Sequence, residues 1–217
     1  MDKFYPESKV EIQGFTAKHY DTIMNIVSFG FYAKFIGNAI SKLEIKDKDY
    51  ILDLGCGTGR NACLMRNYLS EKGFILGLDI SEGMGKQFNK KIRNFKNVAF
   101  KNQRIDLPFS LEDKFDKVFI SFVLHGFPHE VRETIINNAY ENLKTGGTFW
   151  ILDFNEFALM DMPFYYRIPF VTIECPYAFD FIERDWKKIL EKSGFNNFIE
   201  TLYLKSYVRL LAARKTG

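Results

Sequence analysis

Acids, amides and a histidine recur at one kind of place in this chain, just beyond a short apolar run. Asp53 follows Tyr50-Ile51-Leu52 and precedes three alternating glycines, Gly55, Gly57 and Gly59, with Cys56 between the first two. Asp79 closes Phe74-Ile75-Leu76-Gly77-Leu78, Gln103 and Arg104 follow the run at 97–102, and Ser121 and His125 fall at and beyond the end of FDKVFISF (115–122). Alternating glycines after an acidic strand end suit a turn whose backbone angles exclude other residues. A ligand can then approach the backbone there without meeting a Cβ. The dinucleotide fingerprint needs glycine at its first, third and sixth positions, and counting from Gly55 the sixth is Arg60, so that pattern fails. The Gly-Lys-Ser/Thr that closes a P-loop is absent as well. Asp79 lies 24 residues past Gly55 (79 − 55), near the separation at which an acid meets ribose hydroxyls in doubly wound folds.

Holding these groups together calls for strands that end side by side. The run at 50–54 reads as a first strand, and the apolar spacing from Asn61 to Met65 as the helix after the glycine turn, presenting free N–H groups at its start. Gly73 closes that helix, Phe74 to Asp79 is a second strand, and Ser81 caps a helix through about Arg93. Asn97 to Asn102 forms a third strand, followed by a loop from Gln103 to Ser110. Phe115 to Phe122 is the fourth strand, and Pro128 starts a helix through about Leu143. Thr148 to Phe154 is the fifth strand. Asp185 to Ser193 reads as a helix stopped by Gly194, and Phe198 to Leu204 with Tyr207 to Ala213 as an antiparallel hairpin. Alternating strand and helix predict a three-layer α/β/α, Rossmann-like fold with a mostly parallel sheet. In such sheets ligands bind at the carboxyl ends of strands, where Gly55, Asp79, Gln103 and Ser121 all fall.

Two regions lie outside that alternation. Residues 1–14 read as a polar arm, and Phe15 to Leu43 as two helices broken near Ser28-Phe29-Gly30, so that 1–45 forms an amino-terminal helical cap. Residues 155–181 carry three prolines and many aromatics without a clear period, and read as a long loop inserted after the fifth strand. At 217 residues, one domain over 1–217 is the expectation.

Composition limits the partners. A net charge of +3 is too small to argue for nucleic acid, and the basic stretch from Lys86 to Arg104 reads as a solvated helix face and its flank. Cys56, Cys63 and Cys175 form neither a disulfide framework nor a metal motif, which suits a reducing cytoplasm and a protein with no metal. No apolar run reaches the roughly 18 residues of a membrane span, although peripheral membrane contact is compatible with the composition, and no secretory leader is expected. Twenty-three Phe and 11 Tyr are an unusual number; much of that must be core, but it also allows an aromatic-lined pocket for a small apolar acceptor.

The stretch DLGCGTG (53–59) resembles motif I of the class I S-adenosylmethionine methyltransferases. GLDIS (77–81), LPF (107–109), FDKVFISFVL (115–124) and LKTGGTFWILDF (143–154) are similar to the successive motifs of that superfamily, in order, across about residues 50–154. AKHYD followed by SFG (17–30) resembles the segment preceding motif I in the UbiE-type ubiquinone and menaquinone C-methyltransferases. The resemblance implies a seven-stranded sheet of order 3-2-1-4-5-7-6 with strand seven antiparallel, and S-adenosylmethionine as methyl donor, leaving S-adenosylhomocysteine. It implies further that Asp53, Cys56 and the Gly55, Gly57 and Gly59 backbone meet the methionine end, and that Asp79 takes the ribose with Ile80 on the adenine. Gln103 and the Arg104 backbone would meet the adenine edge, Ser121 would lie beside the methionine end, and Tyr20 would close over the sulfonium. Asp106, nearer LPF, reads as structural.

Two departures bear on the acceptor. Relatives carry an arginine after SFGL, where this chain has SFVL and then His125, and the region after strand five differs. His125 is either the general base that deprotonates a phenol next to a carbon nucleophile or a histidine that hydrogen-bonds within its loop; His19 and His129 are weaker candidates. The expected function is methyl transfer to a small aromatic or apolar acceptor, a quinone precursor among them; the 155–181 insertion either forms a lid over it with the amino-terminal helices, or packs on the sheet edge or forms a dimer contact. The rival readings are an RNA or protein methyltransferase, and a protein that binds S-adenosylmethionine without catalysis.

Overall fold

A computed structural model describes residues 5–8 and 31–216 of the protein. The first of the two amino-terminal helices, with His19, Tyr20 and Phe29, lies outside them; the second is α1, Phe31–Ser41. Beyond it the chain alternates as its apolar runs predict. β1 (Tyr50–Leu54) leads to α2 (Arg60–Arg66), β2 (Phe74–Asp79) to α3 (Glu82–Ile92), and β3 (Val98–Asn102) to a loop and β4 (Phe115–Ser121). A 3-10 turn at Leu124–Gly126 and α4 (His129–Asn142) then precede β5 (Leu143–Phe154).

The seven strands form one sheet in the order β3-β2-β1-β4-β5-β7-β6, where β6 is Phe195–Tyr203 and β7 is Val208–Lys215. β1 pairs parallel with both β2 and β4, and β7 antiparallel with β5 and β6, which is the expected topology. Strand alternation sorts side chains to the two faces. Val118, Ile120, Phe149, Ile151, Leu211 and Ala213 face a core that includes α4. Ile51, Phe119, Trp150, Leu152, Leu210 and Ala212 face a core built with α1, α2 and α3. Three layers therefore follow from two buried sheet faces.

Several expected boundaries move. β5 begins at Leu143, earlier than Thr148, but its pairing with β4 slips between Phe115 and Lys117 and becomes regular from Thr148. β6 begins at Phe195, three residues before Phe198; its register shifts between Asn196 and Ile199, and Asn197 has φ +51°. A strand start with a left-handed residue loses the period-two pattern that would reveal it.

The insertion is not the loop that its sequence suggests. It holds a 3-10 turn at Leu159–Asp161 and two helices, α5 (Phe164–Ile173) and α6 (Pro176–Ile182), ahead of α7 (Trp186–Lys192). α5 shows no helical period because nine of its ten residues, all but Phe170, stay unburied, so no single apolar stripe marks an inner face.

Candidate active site

The glycine turn is held open by backbone geometry. Gly55, Gly57 and Gly59 have φ of +67°, +54° and +78°, a region costly for any residue with a Cβ. Two of them are also hemmed in. A Cβ on Gly55 would lie 2.8 Å from Cγ2 of Val123, and one on Gly59 would lie 2.7 Å from the Phe88 ring. At Gly57 a Cβ would meet nothing within 4 Å. That glycine borders open space, as a backbone that a ligand approaches must.

Asp53 lies behind this turn on β1, in register with Gly77 of β2 and Phe119 of β4. It is 1% exposed, and neither carboxylate oxygen has a hydrogen-bond partner among the described residues. A buried carboxylate without a donor is costly, and most buried polar groups are satisfied. Burial, and then the neighbouring Asp79, push its pKa well above the ordinary carboxylate value. The site thus carries a stored demand for a cation or for several donors.

Asp79 ends β2 one strand away. Its Oδ2 accepts from the Gly57 N–H at 2.9 Å and its Oδ1 from the Ser81 N–H at 2.8 Å, so this acid also ties the glycine turn to the start of α3. Each oxygen keeps a second lone pair for a ligand hydroxyl. Burial raises the Asp79 pKa, against those backbone hydrogen bonds, which lower it. Cys56 is buried beneath the turn, where a Cβ on Gly77 would lie 2.7 Å from its Sγ, and its backbone N–H donates to Leu78 O at 3.0 Å. Burial raises its thiol pKa, so it is no thiolate nucleophile.

The strand-end residues line up as their positions predict. The Gln103 N–H donates to Asp79 O at 3.1 Å, and its side-chain Nε2 donates to Arg104 O at 3.3 Å, leaving Oε1 as the acceptor. The Arg104 guanidinium turns to Asp106, with Nε at 3.1 Å and Nη2 at 2.5 Å, and Tyr5 Oη donates to the same carboxylate at 2.9 Å. Asp106 thus joins Arg104 to Tyr5. Ile80 follows Asp79, and Ser121 closes β4 opposite Leu152 of β5. Tyr20 lies outside the described residues.

Two asparagines outside the motifs read above hold the Gln103–Ser110 loop. Asn138 Nδ2 donates to the carbonyls of Ile105 and Leu107, both at 2.8 Å, and Asn138 Oδ1 accepts from the Phe109 N–H at 3.1 Å. Asn142, one helical turn on, accepts from the Leu111 N–H at 2.7 Å. Two amides at i and i+4 on the inner face of α4 are the signal that could have found them.

On the other side of the turn, Val123 packs on Gly55 and His125 follows two residues later. His125 is buried. Its Nδ1 lies 2.7 Å from Asp153 Oδ1, and its Nε2 lies 3.4 Å from Glu174 Oε2. Burial pulls the imidazole pKa down, but the contact with Asp153 and the charge of Glu174 outweigh it, so the net shift is upward. The Arg132 guanidinium, fully buried, donates to Leu124 O at 3.2 Å, His125 O at 3.2 Å and Tyr177 O at 2.5 Å, and pairs with Asp180 at 2.6 Å. This one side chain fastens α6 of the insertion to the turn that carries His125. His129 pairs instead with Glu133 at 3.6 Å along the surface of α4.

The sheet order, the left-handed glycine turn and the acids at the ends of β1 and β2 define a class I S-adenosylmethionine methyltransferase fold. The N-methyltransferase NodS of Bradyrhizobium japonicum WM9, solved with S-adenosyl-L-homocysteine, matches with a TM-score of 0.63 at 12% identity, over 85% of this chain and 87% of that one. A profile of the ubiE/COQ5 methyltransferase family matches residues 7–195, and the chain belongs to that family. Among its relatives, a demethylmenaquinone methyltransferase of Lactobacillus johnsonii is 31% identical over 141 residues, 63% of this chain and 57% of that protein. One of Staphylococcus carnosus is 26% identical over 219 residues, 92% of this chain and 88% of that protein. The chain thus spans little more than half the length of the Lactobacillus relative, and 55% of the ubiquinone/menaquinone biosynthesis C-methyltransferase UbiE of Wigglesworthia glossinidia brevipalpis. No described helix is long and apolar enough to cross a membrane.

Proposed function

We propose that the protein transfers a methyl group from S-adenosylmethionine to a small aromatic or apolar acceptor, a quinone precursor being the acceptor that its relatives' names suggest. The observation that carries the donor half is Asp53. A buried carboxylate with no hydrogen-bond partner among the described residues, beside three left-handed glycines of which one faces open space, fits the ammonium and carboxylate of a methionine end. Asp79 takes the ribose hydroxyls on its remaining lone pairs, Ile80 packs on the adenine, and Gln103 Oε1 accepts from its amino group, with the Arg104 N–H on the ring. Ser121, Cys56 and the Gly55–Gly59 backbone line the methionine end.

Bound there, S-adenosylmethionine supplies a sulfonium methyl already reactive toward in-line displacement. The chain then has to align the acceptor and keep water away. Both nitrogens of His125 face carboxylates, so the acid–base group on the acceptor side is the His125–Glu174 pair rather than the imidazole alone. Asp153 fixes the ring, and a proton leaving an acceptor phenol passes to Glu174 or to Nε2. The 155–181 insertion, fastened by Arg132, covers this side as a lid.

Calorimetry with S-adenosylhomocysteine and with NAD tests the donor half. Tight binding of the first alone, weakened at least tenfold by Asp53→Asn, is the expected result; NAD binding without S-adenosylhomocysteine binding would overturn it. Transfer of label from methyl-labelled S-adenosylmethionine into extracted apolar metabolites tests the acceptor half.

A further inference from the structure

Helix α5 is apolar nearly all round, yet Phe170 is its only buried residue. Phe164, Tyr165, Tyr166, Ile168, Val171 and Ile173 are 42–66% exposed. Soluble surfaces rarely leave so many large apolar side chains together on one helix unless the patch meets something. The patch extends past the helix. Lys205 Nζ lies 5.8 Å and 5.4 Å from the ring centroids of Tyr165 and Tyr166, which brings the β6–β7 turn, with Leu204 at 63% exposure, onto its rim.

The charges choose among partners. From Met162 to Ile173 there is no acid, and Arg167 and Lys205 stand at the patch. Glu174, the next residue, turns inward to within 3.4 Å of His125 Nε2, which leaves exposed Asp161 as the acid at the outer end. A two-fold contact between copies centred on α5 would gather two Arg167 and two Lys205 with no acid on the helix to pair them. A bilayer with anionic headgroups suits the same pattern. Aliphatic side chains enter the acyl boundary, tyrosine rings sit at headgroup level and cations meet phosphates.

We infer that α5 and the β6–β7 turn form a docking surface for an anionic lipid bilayer, with α5 lying in the interface plane and Arg167 and Lys205 on lipid phosphates. The surface deepens the apolar-acceptor reading and rests on it for its purpose, because α5 runs directly into Glu174 on the acceptor side of the site. An acceptor dissolved in the bilayer would then reach the site without crossing water.

The test is co-sedimentation of the full chain with vesicles of phosphatidylcholine alone or mixed equally with phosphatidylglycerol, with neither methyl donor nor acceptor present. Binding and turnover can therefore fail separately. The wild type should pellet with the mixed vesicles and far less with phosphatidylcholine. Arg167→Gln with Lys205→Gln should weaken that binding by about thirtyfold at low salt, and Ile168→Ser with Val171→Ser and Ile173→Ser should weaken it at least as much. Circular dichroism and the thermal midpoint of both variants should match the wild type, since these side chains are exposed. Wild-type protein left in the supernatant with both vesicles would overturn the inference, as would a serine variant that pellets unchanged. A dimer in solution that the serine variant converts to monomer would also overturn it, naming a second copy of the chain as the occupant.

Discussion

Nδ1 of His125 lies 2.7 Å from Oδ1 of Asp153, two residues 28 positions apart that meet because β4 and β5 are neighbouring strands. Asp153 Oδ2 also accepts from the His125 backbone N–H at 3.2 Å, so one buried carboxylate sets both the ring and the turn beneath it. Removing one partner of a buried pair strands the other in a dry place. His125→Gln should lower unfolding stability by about 3 kcal/mol, measured by urea denaturation; a loss no larger than that of a typical surface substitution would mean that the pair is not holding this turn.

The same pair makes that stability depend on pH. The folded His125 pKa is raised above the ordinary value of 6.5, so the charged pair contributes fully below 6.5 and its contribution disappears as pH rises through the raised value. The stability gap between wild type and His125→Gln should therefore be widest at acid pH and narrow above 6.5. A gap that widens toward alkaline pH would assign the wrong sign to the coupling.

Asp53 has the opposite fate when a ligand arrives. Its pKa is raised in the ligand-free protein by burial and by Asp79, and an ammonium beside it would restore the charged form. Binding of S-adenosylhomocysteine should then release a fraction of a proton, seen as a dependence of the calorimetric heat on the buffer's ionisation enthalpy. Asp53→Asn should abolish that release.

Asp79 and Asp106 are both acids next to the Gln103–Ser110 loop, but in the proposed binding mode Asp79 alone meets the ligand. Asp79→Asn should weaken S-adenosylhomocysteine binding by about 1.5–3 kcal/mol, the scale of hydrogen bonds to a charged group. Asp106→Asn weakens the Arg104 and Tyr5 contacts instead, by removing the charge and one acceptor oxygen, and should leave affinity within a few fold. Equal losses at the two positions would displace the adenine from the Gln103 loop.

The glycines separate folding from binding. Gly59→Ala forces a Cβ to 2.7 Å from the Phe88 ring as well as a left-handed alanine, whereas Gly57→Ala carries the backbone cost alone, about 1–2 kcal/mol. Gly59→Ala should have the lower thermal midpoint of the two. Gly57→Ala, whose Cβ points into open space, should keep more of its stability and lose ligand affinity.

Local chemistry wrote much of this protein into its sequence. The glycine turn needs positive φ at three nearby positions, and only glycine adopts it cheaply; the strands of the parallel sheet are short apolar runs bounded by turns. Asp53, Asp79 and Gln103 follow from standing just past such runs, because parallel strands must end side by side. The tertiary structure alone decided what meets across long separations. Nothing local pairs His125 with Asp153 and Glu174, places the Arg132 guanidinium on Tyr177 and Asp180, or sets Asn138 against the carbonyls of Ile105 and Leu107, since each contact joins segments that only packed strands and helices bring within reach. The helices of the insertion escaped for the same reason in reverse. With just one residue of α5 buried, its sequence has no inner face to imprint a period.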